Sequence, residues 1–441
     1  LGKAITVQST DPNNPDIVSA TIIDCNGTQK DPHRGFVFQN EEGPDSIIDG
    51  ITITGGYVTG TYYPSWAGSA LLCHYSSPTI SKCIVKGNEC SRGVIFCKRG
   101  NLTLEGCTIR SNRASEIVRL YSRVQLDVID CMIIENNGRG ISAQGNLTVA
   151  NSLISLNSGG GVKSLSGSLT LTNSTIRDND DTGIHVFNND ATIKNCVIER
   201  NVTSSVGGAI YCVYTDSVNI ENSWIVNNVA REAGAIFLGI SNCRIDNCVI
   251  AGNNAELWGG GIYCSKCTAT FTNCTIYGNS GGERGGGIGC QYKCDITVCN
   301  CILWNNSGIL GKEVNLHVRS TPSRMTIGYS NIQGGMKNVF VGDSILDWGG
   351  GNIDAYPCFI QQGYWSDPND PNIPSDPNKP NAIWVYGDYN LLPDSPCIDA
   401  GDPNYVPEPN DTELDGNPRI INGRIDMGAY EAPIFAGIEI E

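Results

Sequence analysis

The sequence predicts an all-β fold: a parallel β-helix, a solenoid of stacked coils, followed by an acidic, loop-rich C-terminal segment. Three observations predict it. Two residue markers recur through ten consecutive segments at a nearly fixed offset. Apolar residues inside each segment alternate with a period of two. Composition then changes abruptly near residue 345.

The first marker is the small residue of a signature reading apolar, two variable residues, small, variable, Ile, two variable, Asn. It runs Cys83, Cys107, Cys131, Ser152, Ser174, Cys196, Ser223, Cys248, Cys274 and Cys301, in steps of 21 to 27 residues. The second marker precedes it by 9 to 11 residues: Cys73, Cys97, Leu120, Ala143, Ser164, Val186, Cys212, Leu238, Cys264 and Cys290. Period-two alternation within each unit means short strands. No unit holds the 10 to 15 residues of helical pattern that a βαβ crossover needs. Repeats of this length stack into a solenoid, with coils ~4.8 Å apart and equivalent residues forming ladders along the axis. Both markers are assigned to the interior. Asn88, Asn112, Asn157, Asn179, Asn201, Asn228, Asn253, Asn279 and Asn306 form a turn ladder, in which a buried amide satisfies turn backbone groups.

Residues 1–345 are assigned to the β-helix, with regular coils over 71–306, and 346–441 to an acidic, Pro-rich segment packing on it. From residue 343 onward the chain holds 18 acids, 3 bases and 13 of the 20 prolines. Overall net charge is −16, which disfavours nucleic acid as a partner. No stretch of ~18 apolar residues exists to span a bilayer as a helix. The chain opens directly on strand-like Ala4-Ile5-Thr6-Val7 with no capping segment before it, and closes on strand-like Gly437-Ile438-Glu439-Ile440-Glu441. Uncapped ends and an apolar outer face together predict self-association or packing against neighbouring surface proteins.

The repeat resembles the right-handed parallel β-helix superfamily that includes pectate lyases. Gly207-Gly208-Ala209-Ile210 with Ile225-Val226-Asn227-Asn228, and Gly259-Gly260-Gly261-Ile262 with Ile276-Tyr277-Gly278-Asn279, resemble more narrowly the repeats of polymorphic outer-membrane proteins and of large secreted β-helix proteins of planctomycete-type bacteria. The segments Ser395-Pro396-Cys397-Ile398-Asp399-Ala400-Gly401-Asp402, Asp415-Gly416-Asn417-Pro418-Arg419 and Met427-Gly428-Ala429-Tyr430-Glu431 are similar to the second group. The resemblance implies the fold and an extracellular or cell-surface setting. It leaves activity open, because this architecture hosts lyases, hydrolases, adhesins and fibres.

Of the 20 cysteines, twelve fall on the two ladders, where Cys reads as a small apolar residue interchangeable with Ser, Ala and Val. Cys267 and Cys294 follow ladder positions of adjacent coils, close enough for a disulfide, and Cys358 with Cys397 could staple the tail.

Several clusters could carry chemistry. Residues 82 to 123 hold Lys82, Lys86, Arg92, Lys98, Arg99, Arg110, Arg113, Arg119 and Arg123 against three glutamates. Lys86 and Arg110 share one outward position in successive coils, so they could line an anionic-glycan groove. Solvated charge or docking of the acidic tail is the other reading. Asp180, Asp181 and His185 superficially match a hydrolase constellation. Trp224, Val226, Val249, Ala251, Thr275, Tyr277, Ile302 and Trp304 make an outward apolar face that would suit sugar stacking on Trp224, Tyr277 and Trp304, a partner chain, or the returning tail. Glu232, Glu256 and Glu283 recur in consecutive coils, and Asp399, Asp402, Asp411 and Asp415 crowd the tail. Either group could hold Ca2+, the one cofactor the sequence suggests.

Two functions follow: an extracellular structural or adhesive β-helix protein that binds glycans, or a polysaccharide lyase or glycoside hydrolase acting on anionic polysaccharide. A lyase needs a base for the proton beside a uronate carboxylate and cations to neutralise that carboxylate.

Overall fold

The computed structural model describes residues 4–60, 62–317, 321–379, 382–409 and 411–433. Gly2, Lys3 and the strand-like terminus 437–441 lie outside them. The chain divides into two compact units, Leu1–Val197 and Ile198–Glu441. Each is built of parallel β-helix coils.

In the first unit the second marker forms one ladder, with Cys73 opposite Cys97, Leu120, Ala143, Ser164 and Val186 in successive strands. A second sheet stacks Ile22–Asp24, Thr52–Thr54, Ile84–Lys86, Thr108–Arg110, Met132–Ile134, Leu153–Ser155 and Thr175–Arg177. The second unit repeats the plan. Cys212 lies opposite Leu238, Cys264, Cys290 and Leu316, and Trp224–Val226 begins the second sheet. Coils continue beyond residue 306 through Val314–His317, Val339–Phe340 and Ile345–Trp348. Among the described residues the helices are Pro15–Ala20 and the 3-10 turn Gly335–Asn338. The first is capped by Asn14, whose Oδ1 accepts the Asp16 N–H at 3.0 Å, with Pro15 in the first turn.

All twelve ladder cysteines are buried. Why Cys and Ser interchange there is visible in the bonding. Cys107 N–H donates to Cys131 Sγ at 3.4 Å, Cys131 N–H to Ser152 Oγ at 3.0 Å, and Ser152 N–H to Ser174 Oγ at 3.1 Å. The position needs one acceptor and one donor on Cβ, which thiol and hydroxyl both supply. The residue before it takes a left-handed conformation, as at Asn151, Asn173, Asn222, Asn247, Asn273 and Asn300, and Asn tolerates that backbone well.

Each unit has its own run of the Asn ladder, Asn88 to Asn179 in the first and Asn201 to Asn306 in the second. Each Nδ2 donates to the next Oδ1, at 3.1 Å from Asn88 to Asn112 and 2.9 Å from Asn253 to Asn279. Asn136, five residues after Cys131 as Asn88 is five after Cys83, fills the rung between Asn112 and Asn157. In the second unit the last rung, Asn306, ends on the buried carboxyl group of Glu313.

The composition break near residue 345 coincides with the last coil strand. The acidic segment beyond it packs on the second unit, not alone. Antiparallel strands Phe359–Gln361 and Asp388–Leu391, with Tyr364–Asp367 and Ile383–Val385, bring Phe359, Trp365, Trp384, Tyr389 and Tyr430 onto Val226, Ala251, Tyr277, Ile302 and Trp304. This is the cover the outward apolar face requires.

Candidate functional site

The outer strand face of the first unit carries a groove where aromatic rings and cations meet. Side chains alternate across a strand, so if Cys97 and Leu120 point inward, their neighbours point out. Phe96 and Arg119 form one outward row, Lys98 and Tyr121 the next. The segment before Ala67 folds over this face. Tyr63 and Trp66 pack edge-on to each other and around Phe96, with Trp66 and Phe96 ring centres 5.2 Å apart at 86°. Lys98 Nζ stands 4.3 Å from the Tyr63 ring centre and 5.7 Å from that of Tyr121. The Arg92 and Arg119 guanidinium carbons lie 5.9 Å from the rings of Trp66 and Tyr121. Between them is a cavity of about 170 Å³. Such pairs hold a cation over a ring face, leaving charge and apolar surface side by side.

The outward row continues from Arg119 through Ser142 and Lys163 to His185, one residue per coil. Arg119 is buried and fixed, its Nη1 donating to Glu116 Oε1 and Ser142 Oγ, both at 2.8 Å. Arg139, opposite Glu116 on the next coil, donates through Nη2 to Asp181 Oδ2 at 2.8 Å. Its buried Nη1 has no hydrogen-bond partner. Burial, with the nearby Arg139 and Arg119, pushes the Lys163 amine down, against the pull of Glu116 and Asp181. Burial also pushes His185 down to about 4, helped by Lys163 and Arg139, so its imidazole is neutral at ordinary pH. A face with five cations and few acids stands out in a protein of net charge −16.

The right handed beta helix region family matches residues 19–168, 92–239 and 165–359. The chain belongs to that family. No curated protein matches it. Among solved structures, pectate lyase Pel9A is similar at a TM-score of 0.36 and 12% identity, over 93% of this chain and all of that one. Among the described residues of this β-helix protein, no helix is long and apolar enough to cross a membrane.

The β-helix places the remaining candidate residues elsewhere. Lys86 and Arg110 are paired in register as expected, but on the other sheet, so they do not enter the groove. Trp224, Tyr277 and Trp304 do not form an open sugar platform, because the tail seats on them. Tyr277 is 1% exposed, its ring 5.6 Å from Phe359 and 5.2 Å from Tyr389, and its hydroxyl donates to Gln362 Oε1 at 3.1 Å. Trp304 meets Tyr356 at 6.3 Å and Trp224 meets Tyr389 at 6.1 Å. Asp181 is engaged with Arg139, while Asp180 stands exposed, so Asp180, Asp181 and His185 form no acid pair.

The carboxylate groups do not converge either. Glu283 accepts from Trp258 Nε1 at 3.0 Å, and the Ala233 N–H bonded to Trp258 O sets Glu232 level with Trp258, itself paired with Arg284, so Glu232, Glu256 and Glu283 are not one stacked row. In the tail, Asp402 caps Asn404, Asp411 accepts from the Tyr405 hydroxyl and Asp415 from Asn390 Nδ2, while the Asp399 N–H bonds Asp426. Among the described residues no three His, Cys, Asp or Glu side chains are arranged to hold a metal ion.

Tyr63, Trp66, Phe96, Tyr121, Arg139 and Lys163 escaped the sequence reading. A signal existed: the residue preceding each second marker gives Phe96, Arg119, Ser142, Lys163 and His185 directly.

Proposed function

We propose that this β-helix protein binds acidic polysaccharide at the cell exterior, through the groove on its first unit. The observation that carries this reading is Lys98 set between the rings of Tyr63 and Tyr121, with Arg92 and Arg119 alongside. Aromatic rims contact sugar rings, and fixed guanidinium and ammonium groups meet carboxylate or sulfate. A structural or adhesive role, with further copies or neighbouring surface proteins as partners, is compatible with such a groove. The test is affinity electrophoresis through gels containing polygalacturonate, alginate, chondroitin sulfate or heparin, against neutral glucan. Retardation by acidic polymers that weakens with salt supports the reading. Equal mobility in all gels removes it.

A second reading, eliminative cleavage, is favoured by one observation: the depressed Lys163 amine beside Arg139. An amine that gives up its proton more readily than an ordinary lysine is suited to take the proton next to a uronate carboxylate while a guanidinium holds that carboxylate. Appearance of 235 nm-absorbing unsaturated product would establish it.

A further inference from the structure

Four thiols meet inside the second unit. Cys264 and Cys290 are register partners in the adjacent strands Ile262–Ser265 and Ile288–Gln291. Cys267 and Cys294 each stand one residue before the next paired strands, where Thr268 lies opposite Asp295 and the Asp295 N–H donates to Cys267 O at 3.0 Å. The thiols close a ring: Cys264 touches Cys267 and Cys290, and Cys294 touches the same two. All four are at most 3% exposed.

The other cysteine column of the unit also has its thiols in contact, Cys274 touching Cys248 and Cys301, but in single file. There Cys248, Cys274 and Cys301 each donate Sγ–H to the carbonyl two residues back, at 3.1, 3.0 and 3.2 Å, in the manner of the serines that replace them elsewhere. A ring of four sulfurs needs a separate account. A soft metal centre is one. Among the described residues, however, no three His, Cys, Asp or Glu side chains are placed so as to hold a metal ion, these four thiols included.

We infer that Cys267 and Cys294 form a disulfide that staples two successive coils. Geometry selects this pair over Cys264 and Cys290. Strand partners on one face keep their Cβ atoms ~4.8 Å apart, wider than the roughly 3.5–4.5 Å a disulfide prefers. Cys267 and Cys294 sit in turns between strands, where the backbone can close that gap. In the reaction the two Sγ–H groups lose two protons and two electrons, and one Sγ–Sγ bond forms. A small-molecule disulfide such as oxidised glutathione takes the electrons and protons and leaves as two thiols. Both thiols are buried, out of reach of an oxidant in solution once the coils have packed, so the bond forms while the coils are still closing.

The test is a disulfide map of the full chain, refolded with oxidised glutathione and then denatured with iodoacetamide but no reductant. Trypsin cuts after Lys266 and Lys293 and so separates Cys267 from Cys264 and Cys294 from Cys290. The expected product is a linked pair of peptides beginning at Cys267 and Cys294, which separates on reduction. C267S should leave Cys294 fully alkylated, and C294S should leave Cys267 so. The inference is overturned if both residues are alkylated in the wild type, if Cys267 is linked to Cys264 instead, or if stoichiometric zinc is released with four alkylatable thiols. Those peptides also carry Cys274, Cys299 and Cys301, so fragmentation of the linked pair must place the bond at Cys267 and Cys294, and that decides where a single variant does not fold.

Discussion

Asn306 closes the internal ladder of the second unit on Glu313: its Nδ2 donates to Oε2 at 2.6 Å and its backbone N–H to Oε1 at 3.3 Å. Every earlier rung ends on a neutral amide oxygen. Here a fully buried carboxyl takes that place, and burial pushes it up to about 8 despite those bonds. Folded Glu313 therefore keeps its proton up to about pH 8, whereas in the unfolded chain it gives it up near 4.5. Between those values the folded state binds more protons. The stability it contributes is full below about 4.5 and is lost as pH rises through 8, with a slope of at most about 1.4 kcal/mol per pH unit. Melting temperature should fall from pH 5 to pH 9, and Glu313→Gln should flatten part of that fall. Glu431, also raised to about 8 by burial, supplies a share that the variant keeps. An unchanged slope in E313Q would contradict this.

The tail is clasped by Trp384. A Cβ on Gly252 would lie 2.1 Å from its ring, and one on Gly278 2.3 Å, and both glycines have positive φ. Trp365 adds a bond from Nε1 to Gly278 O at 3.0 Å. Trp384→Ala should cost about 3–5 kcal/mol in urea unfolding, the range for a large core aromatic. Gly252→Ala should be severe in the wild type but cost only about 1–2 kcal/mol of left-handed strain in the W384A background. That coupling is the readout; additive losses would mean that the ring does not press on Gly252.

Each ladder asparagine works as a unit. Asn253 accepts from Asn228 and donates to Ile225 O at 2.8 Å, Ala251 O at 3.2 Å and Asn279 Oδ1 at 2.9 Å. Asn253→Ala leaves several buried groups unpaired at about 1–3 kcal/mol each. Asn253→Asp should be no milder, since its carboxylate would face those acceptors without a donor. Urea midpoints rank the two; a harmless N253A would deny the ladder a structural role.

These ladders were legible because a solenoid repeats one local environment. Cys83 and Cys107 share a spacing, a turn and a hydrogen-bonding need, and the sequence repeats all three. The apolar face around Tyr277 was legible as needing a cover, though not which chain supplied it. The groove was not legible. Tyr63 and Trp66 belong to no repeat, and their place over Phe96 depends on how the preceding segment folds back. Lys86 and Arg110 drew attention by matching in register, yet a match in register says nothing of which sheet faces the aromatic rings.

Binding should follow the groove and not the charge count. Trp66→Ala and Lys98→Ala should each weaken binding to acidic polysaccharide about tenfold, in line with the roughly 1–2 kcal/mol of a desolvated cation–aromatic contact. Lys98→Ala should also reduce the salt dependence of affinity, whereas Trp66→Ala should not. Lys86→Ala, which removes the same charge from the other sheet, should leave affinity unchanged. Equal losses from K86A and K98A would replace a defined groove with diffuse attraction.

If the protein cleaves as well as binds, Lys163 is where elimination should fail first. Its amine shares the outward row with Arg119 and His185, and Arg139 holds a buried Nη1 with no partner in reach of that row. His185, pushed down to about 4, is already neutral, so no rate limb should appear near pH 6 to 7. The limb should belong to Lys163, below the ordinary lysine value of about 10.4, because burial and two guanidinium groups disfavour its charge. Lys163→Ala should lower the rate of 235 nm product formation by about 10²–10⁴, the usual contribution of a positioned base. Retardation in polygalacturonate gels should survive, because Tyr63, Trp66 and Lys98 are untouched. Arg139→Lys should raise KM more than it lowers kcat, since a point charge replaces a planar fork. Wild-type protein that binds these polymers and yields no unsaturated product would leave the groove a binding site and retire the elimination.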